Sequence, residues 1–208
     1  MPVDGPLYPV NLRLAGKRCL LVGGGAVAVQ KARELLACDA VLTVVAPTVA
    51  AELADDPRVT VHRRPYEPAD LDGCRLAFTA TDDPATNAAV ARDAEAREIW
   101  VNSADDPANC TFTLPSRVRQ GHLLVTFATG GHSPAVATWL RRRFTDEFGP
   151  EYARLIDVLA EAREEVRAQG RSTEGLDWQS ALDSGMLELI RLGRVPEAKE
   201  LLRRCLAQ

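Results

Sequence analysis

The apolar run Cys19-Leu20-Leu21-Val22 passes directly into Gly23-Gly24-Gly25, and then into a segment, residues 27–38, whose apolar positions recur at helical spacing. Strand, glycine turn and helix in that order open a parallel α/β unit. Gly23-x-Gly25-x-x-Ala28 fits the dinucleotide-binding fingerprint, with alanine as its last small residue. Gly23 makes the tight turn, Gly25 lets backbone N–H groups approach a pyrophosphate, and Ala28 lets the helix lie close to the strand. The helix N-terminus then offers its partial positive charge to the phosphates. A glycine triplet alone marks many turns; the flanks are what make this one a nucleotide site. The cofactor residues expected at this turn are Gly23, Gly24, Gly25, Ala26 and Val27.

Residues 18–101 continue the alternation. The pattern predicts strands over 18–23, 41–46, 59–63, 76–80 and 99–101, and helices over 27–38, 49–54 and 85–97. Strands separated by helices imply a parallel sheet with right-handed crossovers, and a glycine turn after the first strand implies the order 3-2-1-4-5. After Asn102 the pattern changes. Strands are expected over 111–114 and 123–129, then a helix over 135–148 opened by Ser133-Pro134 and broken by Gly149-Pro150. Helical pieces over 152–169, 178–192 and 195–206 complete the chain. The expected architecture is α/β: a Rossmann-type NAD-binding domain over 1–110, a small α+β dimerisation and active-site region over 111–149, and a helical C-terminal domain over 150–208.

The net charge of −4 argues against nucleic acid as the main partner. Cys19, Cys38, Cys74, Cys110 and Cys205 are scattered and odd in number, and no pair has CxxC spacing. They are read as small core residues in a reducing compartment, with no metal site expected. No basic segment leads into an apolar one at the N-terminus, and no apolar run reaches about 18 residues, so the expectation is a cytoplasmic protein with no membrane partner.

A typical NAD site carries Asp or Glu at the end of the second strand, to hold the ribose hydroxyls. Here that strand ends Val44-Val45-Ala46-Pro47-Thr48, with neither an acid nor an arginine for a 2′-phosphate. Pro47 and Thr48 lie where the ribose would. The Thr48 hydroxyl either bonds it or caps the next helix. Two acidic loops follow the fourth and fifth strands, Thr79-Ala80-Thr81-Asp82-Asp83 and Asn102-Ser103-Ala104-Asp105-Asp106-Pro107. Capping is the first reading of Asp82 and Asp83, although Thr81, Asp82 and Asn102 also stand where a cofactor would lie. Asp105 starts no obvious helix and is read as functional. Thr129-Gly130-Gly131-His132-Ser133-Pro134 is a second anion-friendly turn at a helix start. Arg141-Arg142-Arg143, with Arg117 and Arg119 earlier, form either a solvated face or a site for a polyanionic small molecule.

These stretches together resemble the precorrin-2 dehydrogenase / sirohydrochlorin ferrochelatase family, the siroheme-synthase N-terminal module. The resemblance rests on Leu7-Tyr8-Pro9-Val10 with Leu14, the run 19–32, ATDDPATN over 80–87, VNSADDPANCTFTLP over 101–115 and TGGHSPA over 129–135, in that order. It implies oxidation of precorrin-2 to sirohydrochlorin with NAD⁺, and a homodimer. Many members also insert Fe²⁺ to give siroheme, with the metal as substrate. Asp105 matches the family's catalytic aspartate, a carboxylate able to take the proton that leaves with the hydride. His132 is a second catalytic candidate, or a surface turn residue. The substrate's carboxylates would meet Thr129, Gly130, Gly131, Ser133, Arg117 and Arg141. The chain departs from the family pattern at Gln30, commonly Arg, and at Thr129, Ser in some members. The chelatase step stays open, because some members only dehydrogenate. Two other readings stand beside this one: an NAD-sensing Rossmann module, and an NAD-linked dehydrogenase of another acidic small molecule.

Overall fold

The computed structural model describes residues 5–104 and 106–207. The chain divides into two compact units after Leu114.

In the first unit, β1 (Arg18–Val22), β2 (Val41–Val45), β3 (Val59–His62), β4 (Leu76–Thr79) and β5 (Trp100–Ser103) form one parallel sheet. Its order is β3-β2-β1-β4-β5, as the glycine turn implies. Alternate residues of the central strands go to opposite faces. Cys19, Leu21, Leu42 and Val44 pack with Ala28, Val29 and Ala32 of α1 (Ala26–Leu36) and Leu53 of α2 (Ala51–Ala54). Leu20, Val22, Val45 and Ala77 pack with Val90, Ala91 and Ala94 of α3 (Pro84–Glu95). Burial on both faces is why β1 reads as a continuous apolar run instead of an alternation. The strand order reverses between β1 and β4, so the crevice at the carboxyl ends of these strands opens beside Gly23.

Three local expectations are corrected. β5 runs on through Asn102 and Ser103, because both buried polar side chains find hydrogen-bond partners there. The strand expected over 111–114 does not form. Thr111 is instead turned back onto β5, its N–H donating to the Val101 carbonyl at 2.9 Å and its Oγ1 accepting from the Val101 N–H at 2.8 Å. The hairpin's first strand lies further on, as β6 (Ser116–Gln120), paired antiparallel with β7 (Leu123–Phe127). Finally, the helix expected over 178–192 is broken into α6 (Trp178–Ala181), a wider turn over Leu182–Met186, and α7 (Leu187–Arg191). Gly185, at φ +91°, makes the break.

The second unit also holds α4 (Pro134–Glu147), α5 (Glu151–Ala168) and α8 (Val195–Leu206). A chain of aromatic rings runs from β7 into the helices, Phe127–Phe144–Phe148–Tyr152, with centroids 5.4, 5.6 and 5.0 Å apart. Leu155, Val158, Met186, Ile190 and Leu202 form a core of their own among the last helices. No described helix is long and apolar enough to cross a membrane.

Candidate functional site

The glycine turn is shaped by two neighbouring loops. Gly23 has φ +127°, and a Cβ there would lie 2.6 Å from the Ala80 carbonyl carbon. A Cβ on Gly24 would overlap the Thr48 carbonyl oxygen and lie 2.8 Å from the Val49 Cα. The loops after β4 and β2 therefore close on the turn through backbone, and only glycine fits beneath them. Gly25 differs. Its φ is −87°, and nothing stands within 4 Å of the position a Cβ would take. Gly25, Ala26 and Val27 are exposed, whereas Gly23, Gly24 and Ala28 are buried. Helix α1 has no side-chain N-cap and no acid in its first turn. A tight turn, an open side at Gly25 and an uncapped helix N-terminus fit the diphosphate of a dinucleotide.

At the end of β2, Pro47 and Thr48 are exposed. The capping alternative for Thr48 is not seen: the N-cap of α2 is Ala50, with no side-chain bond. Past β3, Arg64 clasps Asp70 through two hydrogen bonds of 2.8 and 2.5 Å. Asp70 also accepts from the Glu67 N–H at 2.9 Å, and its side chain is 4 % exposed. The Arg64 bonds hold the Asp70 carboxyl below its ordinary pKa, against the opposing effect of burial.

After β4, Thr81 and Asn87 bind each other. Thr81 Oγ1 donates to Asn87 Oδ1 at 2.8 Å, and Asn87 Nδ2 donates to the Thr81 carbonyl at 3.0 Å. Asp82 is exposed. Asp83 caps α3, accepting from the N–H groups of Ala85 and Thr86 and from the Thr86 hydroxyl. These bonds, the Thr86 hydroxyl's foremost, depress its pKa. The next loop is stitched to this one, since Thr79 Oγ1 donates to Ser103 Oγ at 2.9 Å and the Ala104 N–H to the Thr79 carbonyl at 3.0 Å. Asn102 is buried, its amide donating to the Phe112 carbonyl at 3.0 Å. Asp106 caps the short turn Pro107–Asn109 through the Ala108 N–H at 3.0 Å and the Asn109 amide at 2.8 Å. Asp105, expected to be catalytic, lies outside the described residues. Residue type alone does not reveal that Thr79, Ser103 and Cys110, whose Sγ accepts from the Ser103 N–H at 3.2 Å, belong to this network. The findable signal was the register of hydroxyls at the ends of adjacent strands, Thr79 opposite Ser103.

The remaining expected residues belong to the second unit. Gly130 and Gly131 have φ of +58° and +77°, Thr129 Oγ1 accepts from the Ser133 N–H at 3.2 Å, and Ser133 Oγ caps α4 through the Val136 N–H at 3.3 Å. His132 and Arg141 are exposed, and Arg117 is half-buried on β6. Arg143 lies over the Trp139 ring, 5.7 Å from its centroid.

The model of the family described as "Putative NAD(P)-binding" matches residues 10–116. Two curated relatives, both called siroheme synthase, come from Chromobacterium violaceum and Pseudomonas entomophila. The first is 39% identical over 96% of this chain and 44% of its own length. The second is 37% identical over 94% of this chain and 43% of its own. The chain thus spans less than half the length of these relatives. The solved structure titled SirC, precorrin-2 dehydrogenase, is 25% identical, with a TM-score of 0.71, covering 96% of this chain and 98% of that one. A fingerprint turn with one open side, at the switch point of a 3-2-1-4-5 sheet and inside a family match that covers half of the sequence, leads to one conclusion: the chain belongs to this NAD(P)-binding family.

Proposed function

We propose that the protein oxidises precorrin-2 to sirohydrochlorin, with NAD⁺ as the cofactor. The observation that carries this reading is likeness along nearly the whole chain to a structure titled precorrin-2 dehydrogenase. The nucleotide turn and an acidic loop supply two of the parts such a reaction needs. Residues 1–110 hold the cofactor: Gly23, Gly24, Gly25, Ala26 and Val27 at the diphosphate, Pro47 and Thr48 at the ribose, and Thr81, Asp82 and Asn102 toward the nicotinamide. The open side of Gly25 supports the first of these assignments. The end of β2, Pro47-Thr48, carries neither an acid for the ribose hydroxyls nor a cation for a 2′-phosphate, so NAD⁺ is chosen on the family resemblance and not on this strand.

Bound nicotinamide supplies the hydride acceptor. The chain's part is to orient the macrocycle and accept the proton lost with the hydride, and Asp105 takes that proton. His132 is the second base. Thr129, Gly130, Gly131, Ser133, Arg117 and Arg141, in the region 111–149, bind the substrate's carboxylates. The same region forms a homodimer, and 150–208 is the helical domain. Fe²⁺ is a second substrate, inserted after oxidation, when pyrrole protons must again be accepted.

The test mixes purified protein with NAD⁺ and precorrin-2, with and without Fe²⁺, and follows the absorption spectrum. The expected result is sirohydrochlorin with one NADH per turnover, and siroheme when Fe²⁺ is present. Unchanged precorrin-2 alongside tight NAD⁺ binding would replace the enzyme with an NAD-sensing module.

A further inference from the structure

Two surfaces of the second unit carry opposite charge. The first is a recess of about 700 Å³ between His122, at the turn of the hairpin, and one face of α5. Ala160 and Ala168 give it a small apolar floor, and Asp157, Glu161, Glu164 and Glu165 line it with carboxylates. Two of these acids are paired within the chain. Glu161 binds Lys199 and stands 3.8 Å from Arg154, and Glu164 accepts from Arg167 at 2.7 Å. Asp157 and Glu165 make no ion pair among the described residues. Glu165 lies about 12 Å further along the helix than Asp157, with Ala160 between them.

The second surface is the outer face of α4. Val136 and Trp139 are exposed there, and the Arg143 guanidinium lies over the indole. Arg141, Arg142 and Arg143 are all exposed, and none makes an ion pair among the described residues. A run of solvated arginines needs no partner, but an exposed tryptophan beside them is apolar surface left open. Tryptophan and arginine are also the side chains that most often carry the binding energy of an interface.

A cationic ridge with an aromatic anchor matches an acidic recess with an alanine floor. Both belong to the second unit of one chain, so a two-fold axis between copies sets each ridge against the other copy's recess, and the pairing closes on itself. We propose that α4 of one copy seats in the α5 recess of a second copy, with Trp139 over Ala160 and with Arg142 and Arg143 facing Asp157 and Glu165. The inference rests on the proposed homodimer and extends its interface past residue 149 into the C-terminal helices. Arg141 is left to the substrate.

Charge reversal tests the pairing without reference to activity. One variant carries Asp157→Arg with Glu165→Arg, and the other carries Arg142→Glu with Arg143→Glu. All four positions are exposed on helices, so the helical CD signal should be kept. Sedimentation is expected to show self-association at least about 10-fold weaker in each variant alone, because like charges then meet at both contacts. An equimolar mixture of the two variants should recover the dimer, since every contact again joins opposite signs. A wild type that is monomeric at micromolar concentration overturns the homodimer and this inference with it, and leaves the recess to a basic segment of another protein. A wild-type dimer that survives both reversals overturns only the seating of α4 in the recess, and so does a mixture that stays monomeric. Should a double reversal lose its CD signal, Glu165→Arg and Arg142→Glu replace the pairs. If these also unfold, the charges serve the fold alone and the inference is wrong.

Discussion

Gly24 lies against the Thr48 carbonyl so closely that no side chain can stand between them. The Ala50 N–H donates to the Gly24 carbonyl at 2.9 Å and locks the two loops in that arrangement. Gly24→Ala must push backbone away, and is expected to cost at least about 2 kcal/mol of stability. Gly23→Ala adds the strain of a positive φ to a similar clash. Gly25→Ala meets open space in an ordinary backbone conformation and should change stability by less than about 1 kcal/mol. Gly25→Val should then fold and bind NADH weakly, because bulk at the open side blocks the diphosphate. Denaturant unfolding and NADH fluorescence check the three positions; equal NADH affinity in wild type and folded Gly25→Val would sink the nucleotide assignment.

Asp70 sets an acid limit on the first unit. Its folded pKa is depressed, so its contribution is fully present above the unfolded value of about 3.9 and is lost as pH falls through the folded value. Asp70→Asn should cost about 2 kcal/mol at pH 7, where two bonds to a guanidinium are weakened. It should also lack this part of the acid loss, so the two stability curves converge below about pH 4. Parallel curves across that range, from urea unfolding at several pH values, would rule the assignment out.

The Thr79–Ser103 bond is buried, with the two residues 1% and 4% exposed. Thr79→Val keeps the shape and strands the Ser103 hydroxyl, at an expected cost of about 1–3 kcal/mol. Thr79→Val with Ser103→Ala should cost less than the sum of the single changes, since the double variant leaves no orphan hydroxyl. Additive losses would mean that the pair does not act as a unit.

Local chemistry made much of this fold legible. The apolar run of β1 and the glycines after it are enough to deduce the strand order, because a strand buried on both faces belongs at the middle of a parallel sheet. Asp83-Pro84 is a helix start that needs no tertiary information, and Asp83 caps α3 as expected. What stayed hidden depends on partners distant in sequence. Asn102 and Ser103 look too polar to end a buried strand until Phe112 and Thr79 supply their hydrogen bonds. Thr111 has good strand propensity but is used to clasp β5. Cys110 looked like any small core residue, because nothing in its spacing shows that its sulfur faces Ser103 and Asp106.

On α4, Trp139 is 57% exposed and Val136 46% exposed. Beside a two-stranded hairpin this is more apolar surface than a small unit leaves to water without use. The proposed homodimer buries it, and sedimentation at micromolar concentration should give twice the chain mass. Trp139→Glu should shift the population to monomer while the helical CD signal stays. A wild-type protein that is monomeric at that concentration would refute the proposal.

Asp105 and Asp106 are adjacent carboxylates with different expected work, and comparing them isolates the chemistry. Asp106 is accounted for by its two capping bonds. Asp106→Asn keeps one acceptor oxygen for the Ala108 N–H and should change turnover little. Asp105→Asn keeps the size of the side chain and removes its basicity, so sirohydrochlorin formation should fall by roughly 10²–10⁴-fold. NADH affinity should not change in either variant, because the diphosphate turn is built from Gly23, Gly24 and Gly25 and uses neither carboxylate. If both variants turn over precorrin-2 at the wild-type rate, Asp105 is not the base, and His132→Gln becomes the variant to measure. If Asp106→Asn is the one that fails, the capping bonds at Ala108 and Asn109 do not exhaust that residue's role, and the base has been assigned one position too early.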